Sequence, residues 1–265
     1  MVDLKVTPRA GTGLVAEVTP KSAGWSYVGF ALHRLKAGES VAADSGGDEV
    51  CLVLISGKAQ ARAGGQDFGV IGERLSPFEG KPWSVYVPQD SEWSVTATTD
   101  VELGVCSAPG LSGGLPVRLI APDGLSQEVR GKDTNTRYVT NILPESVPAD
   151  ALLVVEVITP GGHTSSYPPH KHDRDALPAE SYLEETYYHR FNPPQGFGFQ
   201  RVYTDDRSLD EAMAIEDGDI VLVPKGYHPV AACHGYDIYY LNVMAGPKRT
   251  WKFYNAPEHE WLMKR

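Results

Sequence analysis

No long 3.6-residue apolar period runs through this chain. Instead Gly and Pro, at 27 and 20 positions, cut it about every 10 to 20 residues into short runs rich in β-branched and aromatic side chains. Such runs become stable only by pairing edge to edge, so the pattern predicts an all-β sandwich or barrel. Expected strands are Gly29–Leu35, Val50–Leu54, Ser84–Val87, Val101–Cys106, Leu152–Ile158, Glu185–Phe191, Ile220–Val223 and Asp237–Val243. Turns fall at Ser56-Gly57, Gly64-Gly65 and Asp217-Gly218. Helical patterning is confined to short pieces such as Leu209–Ile215, and the polar stretch Ala121–Thr136 is the best linker candidate.

Composition narrows the functions. No apolar run reaches the roughly 18 residues of a membrane span. Acidic residues outnumber basic ones, 34 to 24, for a net charge of −10, and no basic cluster could track phosphates, so neither nucleic acid nor a membrane is an expected partner. A small anionic substrate remains compatible, because a local guanidinium can hold one carboxylate against the net field. The start of the chain lacks a secretory pattern, which predicts a cytoplasmic protein. Cys51, Cys106 and Cys233 show no CxxC spacing, so neither a disulfide framework nor a thiolate zinc site is indicated. Apolar β-surfaces suggest a homodimer or higher homo-oligomer.

The chain repeats itself. Glu49 opens EVCLVLISG and Glu185 opens ETYYHRFNP, while VYVP closes at Pro88 and VLVP at Pro224, an offset of 136 at both landmarks. Two copies of one β-domain are expected, at 1–125 and 126–265. His170 and His172, in YPPHKHD, project from one face if that segment is extended. Glu185 lies 13 residues later, and His228 follows Pro224 in the turn PKGYH. Three neutral imidazoles and a carboxylate suit one borderline divalent ion per chain: zinc or manganese first, with iron, cobalt or nickel as alternatives. The first copy has Glu92 opposite His228 and no His in the segment AADSGGDE that ends at Glu49, so its site is expected to be degenerate.

Paired β-domains with HxH, a Glu heading the next strand and a PxxxH turn resemble the cupin superfamily of jelly-roll β-sandwiches. The strings SSYPPHKHD, EETYYHRFNPPQGFGFQRVYTDD, VLVPKGYHP and AGPKRTWKFYNAPEHEWL resemble the 5-deoxy-glucuronate isomerases of bacterial inositol catabolism over essentially the whole chain. The related ketol-isomerases of pectin-derived deoxy-hexosulose uronates have a shorter HxH-to-Glu interval. His163, in GGHTSSYPP, departs from the family pattern.

The resemblance implies two tandem cupin domains with His170, His172, Glu185 and His228 as metal ligands, Glu184 being the competing carboxylate. It implies an aldose–ketose isomerase that converts 5-deoxy-D-glucuronate to 5-dehydro-2-deoxy-D-gluconate, with Glu184, Tyr187, His189 and Tyr167 as candidates for moving the proton. Arg174, Arg190, Arg201 and Lys225 are the candidates for holding the sugar acid's carboxylate. The segment Asp173–Glu184 is either a lid or a solvated loop. His33, His234 and His259 read as structural. An Fe(II) cupin dioxygenase and a non-catalytic sugar-binding bicupin are the alternative functions.

Overall fold

A computed structural model describes residues 3–111 and 114–264. The chain divides into two compact units, one of Pro8–Ser126 with Asn141–Val154, the other of Met1–Thr7, Gln127–Thr140 and Val155–Arg265. Each is built on a large sheet and a four-stranded sheet. In the first unit the large sheet runs Arg118–Ile120, Trp83–Val87, Asp48–Ser56, Val101–Pro109, Gly29–Leu35, Gly13–Val18. In the second it runs Lys5–Val6, Ile220–Val223, Glu184–Asn192, Asp237–Ala245, Leu153–Thr159, Arg137–Leu143, Ser126–Arg130. Central strands such as Asp48–Ser56 are buried on both faces and read as continuous apolar runs, because neighbours cover both sides and a mixed core covers the faces.

Strands in equivalent places confirm the repeat and locate an interruption in it. Asp48–Ser56 and Val101–Pro109 recur as Glu184–Asn192 and Asp237–Ala245 at an offset of 136, whereas Gly29–Leu35 recurs as Leu153–Thr159 at 124. The second unit therefore carries 12 extra residues between Leu153–Thr159 and Glu184–Asn192. That stretch contains His170–Lys171 and a hairpin of Asp173–Ala176 with Glu180–Tyr182.

Two expectations are corrected. Leu209–Ile215 is not helical: Asp210–Glu216 is a strand paired along its length with Phe197–Tyr203. Glu211, Met213 and Ile215 are its more covered side chains, a period of two that a short apolar pattern could not separate from a helix. The stretch Ala121–Thr136 is not a free linker, since Ser126–Arg130 forms the edge strand of the second unit's large sheet. No helix among the described residues is long and apolar enough to cross a membrane.

Candidate metal centre and active site

The second unit's strand Glu184–Asn192 lies between Ile220–Val223 and Asp237–Ala245, so its alternate side chains face a covered interior. Glu185, Tyr187 and His189 share one face, and Met244, Asn242 and Tyr240 stand directly opposite them on the neighbouring strand. Glu184, its neighbour along an extended strand, projects to the other face and is fully buried there.

His170–Lys171 pairs with Tyr254–Asn255. Lys171 is buried and held by Asp173 at 2.8 Å, Asp205 at 2.9 Å and Glu180 at 3.8 Å. Anchoring Lys171 on one side turns the histidines before and after it to the other. His228 is set by the turn after Ile220–Val223. Gly226 there has φ 90°, and a Cβ on it would meet the Tyr203 carbonyl at 2.4 Å, so only glycine fits.

Donor atoms of His172, Glu185 and His228 all lie within 4.8 Å of one another, and all three residues are buried. His172 Nδ1 is 2.9 Å from the Leu183 carbonyl and His228 Nδ1 is 2.9 Å from that of Gly226, so both must carry their proton there. Their Nε2 lone pairs then face Glu185 Oε2, at 3.1 and 3.3 Å. Burial pulls His172 down, yet the bond to Glu185, that carboxylate's charge and the Leu183 carbonyl outweigh it and hold this imidazole above its ordinary pKa. Burial takes His228 down to about 4, and its buried Nε2 has no hydrogen-bond partner. A proton can reconcile one His–Glu pair but leaves the other facing acceptor to acceptor; a divalent cation satisfies all three groups. Imidazoles oriented by backbone carbonyls are the usual support of metal ligands. His170 stands beside the cluster, its ring 4.9 Å from that of His228 and 4.7 Å from Phe253.

A cavity of about 30 Å³ adjoins the cluster. Its wall comprises His170, Glu185, Tyr187, Tyr240, Asn242, Ser166, Val139, Val157, Arg130, Arg137 and Trp251. Tyr187 Oη is 3.0 Å from Ser166 Oγ. Burial first, then the Glu185 charge, keeps the Tyr187 phenol protonated well above its usual range. His189 lies beside Tyr187 at 5.8 Å; its Nε2 is 3.0 Å from Gln200 Oε1, and burial lowers it to about 4. Tyr167 and Glu184 do not line the cavity.

None of the four expected carboxylate-binding residues lines it either. Arg174 pairs with Glu180 at 3.0 Å, Arg190 with Asp217 at 2.8 Å and Arg201 with Asp210 at 2.7 Å, while Lys225 is exposed beside Asp173 and Asp205. The cavity's cations are Arg130 and Arg137, which sequence reasoning missed. Arg130 lay inside the supposed linker, and the strand beginning at Arg137 was not anticipated. A hint was available in the alternation of RYVTNIL, which aims Arg137 and Val139 to one side.

The sequence profile of the KduI/IolB family matches residues 4–262. A 5-deoxy-glucuronate isomerase of Geobacillus kaustophilus is 57% identical over 253 residues, 95% of this chain and 91% of the relative. That of Bacillus subtilis strain 168 is 50% identical over 257 residues, 96% of this chain and 94% of the relative. The crystal structure of an IolB-like protein from Salmonella typhimurium LT2 superposes with a TM-score of 0.97 at 57% identity, over 98% of this chain and 99% of that one. Oxalate decarboxylase of Lactobacillus farciminis superposes at 0.68 with 13% identity, covering 100% of this chain and 91% of that one, a likeness of fold alone that identifies the two sandwich units as tandem cupin domains.

Proposed function

This chain belongs to the KduI/IolB family, and from that premise we propose that it is a metal-dependent 5-deoxy-glucuronate isomerase acting through the cluster of the second unit. The reaction moves a carbonyl from C1 to C2 of 5-deoxy-D-glucuronate, giving 5-dehydro-2-deoxy-D-gluconate of inositol catabolism. The observation that carries the metal dependence is the meeting of three buried acceptors, His172, His228 and Glu185, with one nitrogen unpartnered. His170 is the fourth ligand in this reading, and the ion is zinc or manganese. A divalent ion bound there supplies a Lewis acid for the carbonyl and neighbouring hydroxyl oxygens, an effect worth several kcal/mol.

The chain's own residues do the rest. Tyr187, kept neutral by burial, donates to a substrate oxygen through Oη, and Ser166 Oγ beside it gives the phenolic proton a second position. Asn242 and Tyr240 complete a polar wall on the same face. The cavity holds a water or an ion but not a six-carbon sugar acid. Substrate entry therefore requires its wall to move, and Ser166 and Trp251, the latter within residues 246–253, are the wall residues that lie outside any strand.

The experiment is to follow carbonyl transfer on 5-deoxy-glucuronate by NMR with purified protein, metal-depleted and then reloaded with zinc or manganese. Turnover restored by metal supports the reading. Undiminished turnover in fully depleted protein refutes the metal dependence, and no turnover in any metal state refutes the activity.

A further inference from the structure

We infer that Arg137 is the anchor for the substrate's carboxylate, with Arg130 as its second cation, so that the charged end of the sugar acid is read from the edge of the second unit's large sheet. This rests on the isomerase reading above. Both arginines line the cavity that Glu185, Tyr187 and His170 also line, and so share one space with the reacting groups.

Arg137 is unlike the other arginines considered for this role. Its hydrogen bonds run from Nη1 to the carbonyl and the side-chain oxygen of Asn135, each 3.1 Å, and among the described residues no carboxylate lies at ion-pair distance from it. Burial lowers its pKa, outweighing the more distant charge of Glu128, which acts on it without an ion pair. A partly buried cation left unpaired in the apo protein is costly, and an arriving carboxylate that takes its remaining donors in a two-pronged arrangement removes that cost. Arg174, Arg190 and Arg201 have already given their forks to Glu180, Asp217 and Asp210. Arg130 pairs with Glu128 at 2.8 Å and lies 4.9 Å over the Trp251 ring, which fixes it in the cavity wall as a supporting charge. Trp251 itself keeps a buried Nε1–H without a partner, a further donor in the same wall.

The anchor is a specificity device, and its test is a ratio. The metal-loaded wild type, Arg137→Gln and Arg137→Lys are compared on 5-deoxy-glucuronate and on the neutral sugar whose carboxylate is replaced by hydroxymethyl. The wild type should favour the acid by about 100-fold in kcat/KM, as sites built around a buried polar partner do. Arg137→Gln should bring the ratio near one, chiefly through KM on the acid, with metal content unchanged; Arg137→Lys, which keeps the charge but not the fork, should retain part of the preference. A Gln variant that keeps the acid preference, or one that loses both substrates equally, overturns the proposal. If Arg137→Gln does not fold, the Lys variant decides: a ratio narrowed about 10-fold supports the anchor and an unchanged ratio overturns it. If the wild type turns over neither sugar, the isomerase reading falls, and calorimetric binding of 5-deoxy-glucuronate decides the anchor separately. Binding weakened about 100-fold in Arg137→Gln supports it, and equal affinity, or no binding by the wild type, overturns it.

Discussion

Glu184 and Glu185 are adjacent carboxylates with different work, and strand geometry separates them. Only Glu185 reaches His172 and His228, at 3.1 and 3.3 Å. Glu185→Gln keeps the shape but removes the charge that balances a divalent ion, so metal affinity should fall by about 10-fold or more, the scale seen even for residues behind the ligands. Glu184→Gln should retain metal; dialysis followed by elemental analysis distinguishes the two, and the reverse outcome would place the strand one residue out of register. Tyr187 offers a second residue-level test. Tyr187→Phe preserves the stacking against His189 at 5.8 Å but removes the hydroxyl that meets Ser166. Its kcat should drop by about 100-fold or more, with metal content intact; wild-type turnover would remove Tyr187 from the chemistry.

At the scale of elements, the same strand position serves two purposes in the two units. Glu185 faces histidines, whereas Glu49, its counterpart at an offset of 136, accepts the backbone N–H groups of Asp150, Ala151 and Leu152 at 2.7, 2.5 and 2.5 Å and the Tyr86 hydroxyl at 2.6 Å. In the first unit the carboxylate holds a loop. Glu49→Ala strands four donors, three of them buried, so unfolding in urea should show a loss of about 3 kcal/mol or more, while metal content stays at the wild-type level. The longer stretch between Leu153–Thr159 and Glu184–Asn192 is also an element with a task. Lys171 within HKH is held by Asp173, Asp205 and Glu180. Lys171→Met leaves the largely buried Asp173 without its cation and should cost about 3 kcal/mol, in the range for breaking a buried pair, and weaken metal retention by releasing the flanking histidines. A Lys171→Met protein with full metal retention after dialysis would show that the histidines are oriented by something else.

For the whole molecule, a chain of two sandwich units with extensive apolar cores does not depend on one ion for its fold. Chelation should abolish turnover and lower the Tm, with the far-ultraviolet circular dichroism unchanged, and elemental analysis should give a metal content near one per chain; a content near two would mean that the first unit also binds. The β class, the repeat at 136 and the meeting of His172, Glu185 and His228, with His170 beside them, were legible in the sequence, because strand alternation and residue spacing are local properties written in neighbouring residues. The short strand Asp210–Glu216 was not, since seven residues fit both periods and only pairing with Phe197–Tyr203 chose between them. Nor were Arg130 and Arg137. Which arginine is free to meet a substrate depends on which carboxylates fold up beside the others, and Glu180, Asp217 and Asp210 reach their partners from 6, 27 and 9 residues away. Sequence by itself determined the kind of chemistry this chain can perform; only the tertiary structure decided which cations face it, because ion pairing is settled by distance in space and not along the chain.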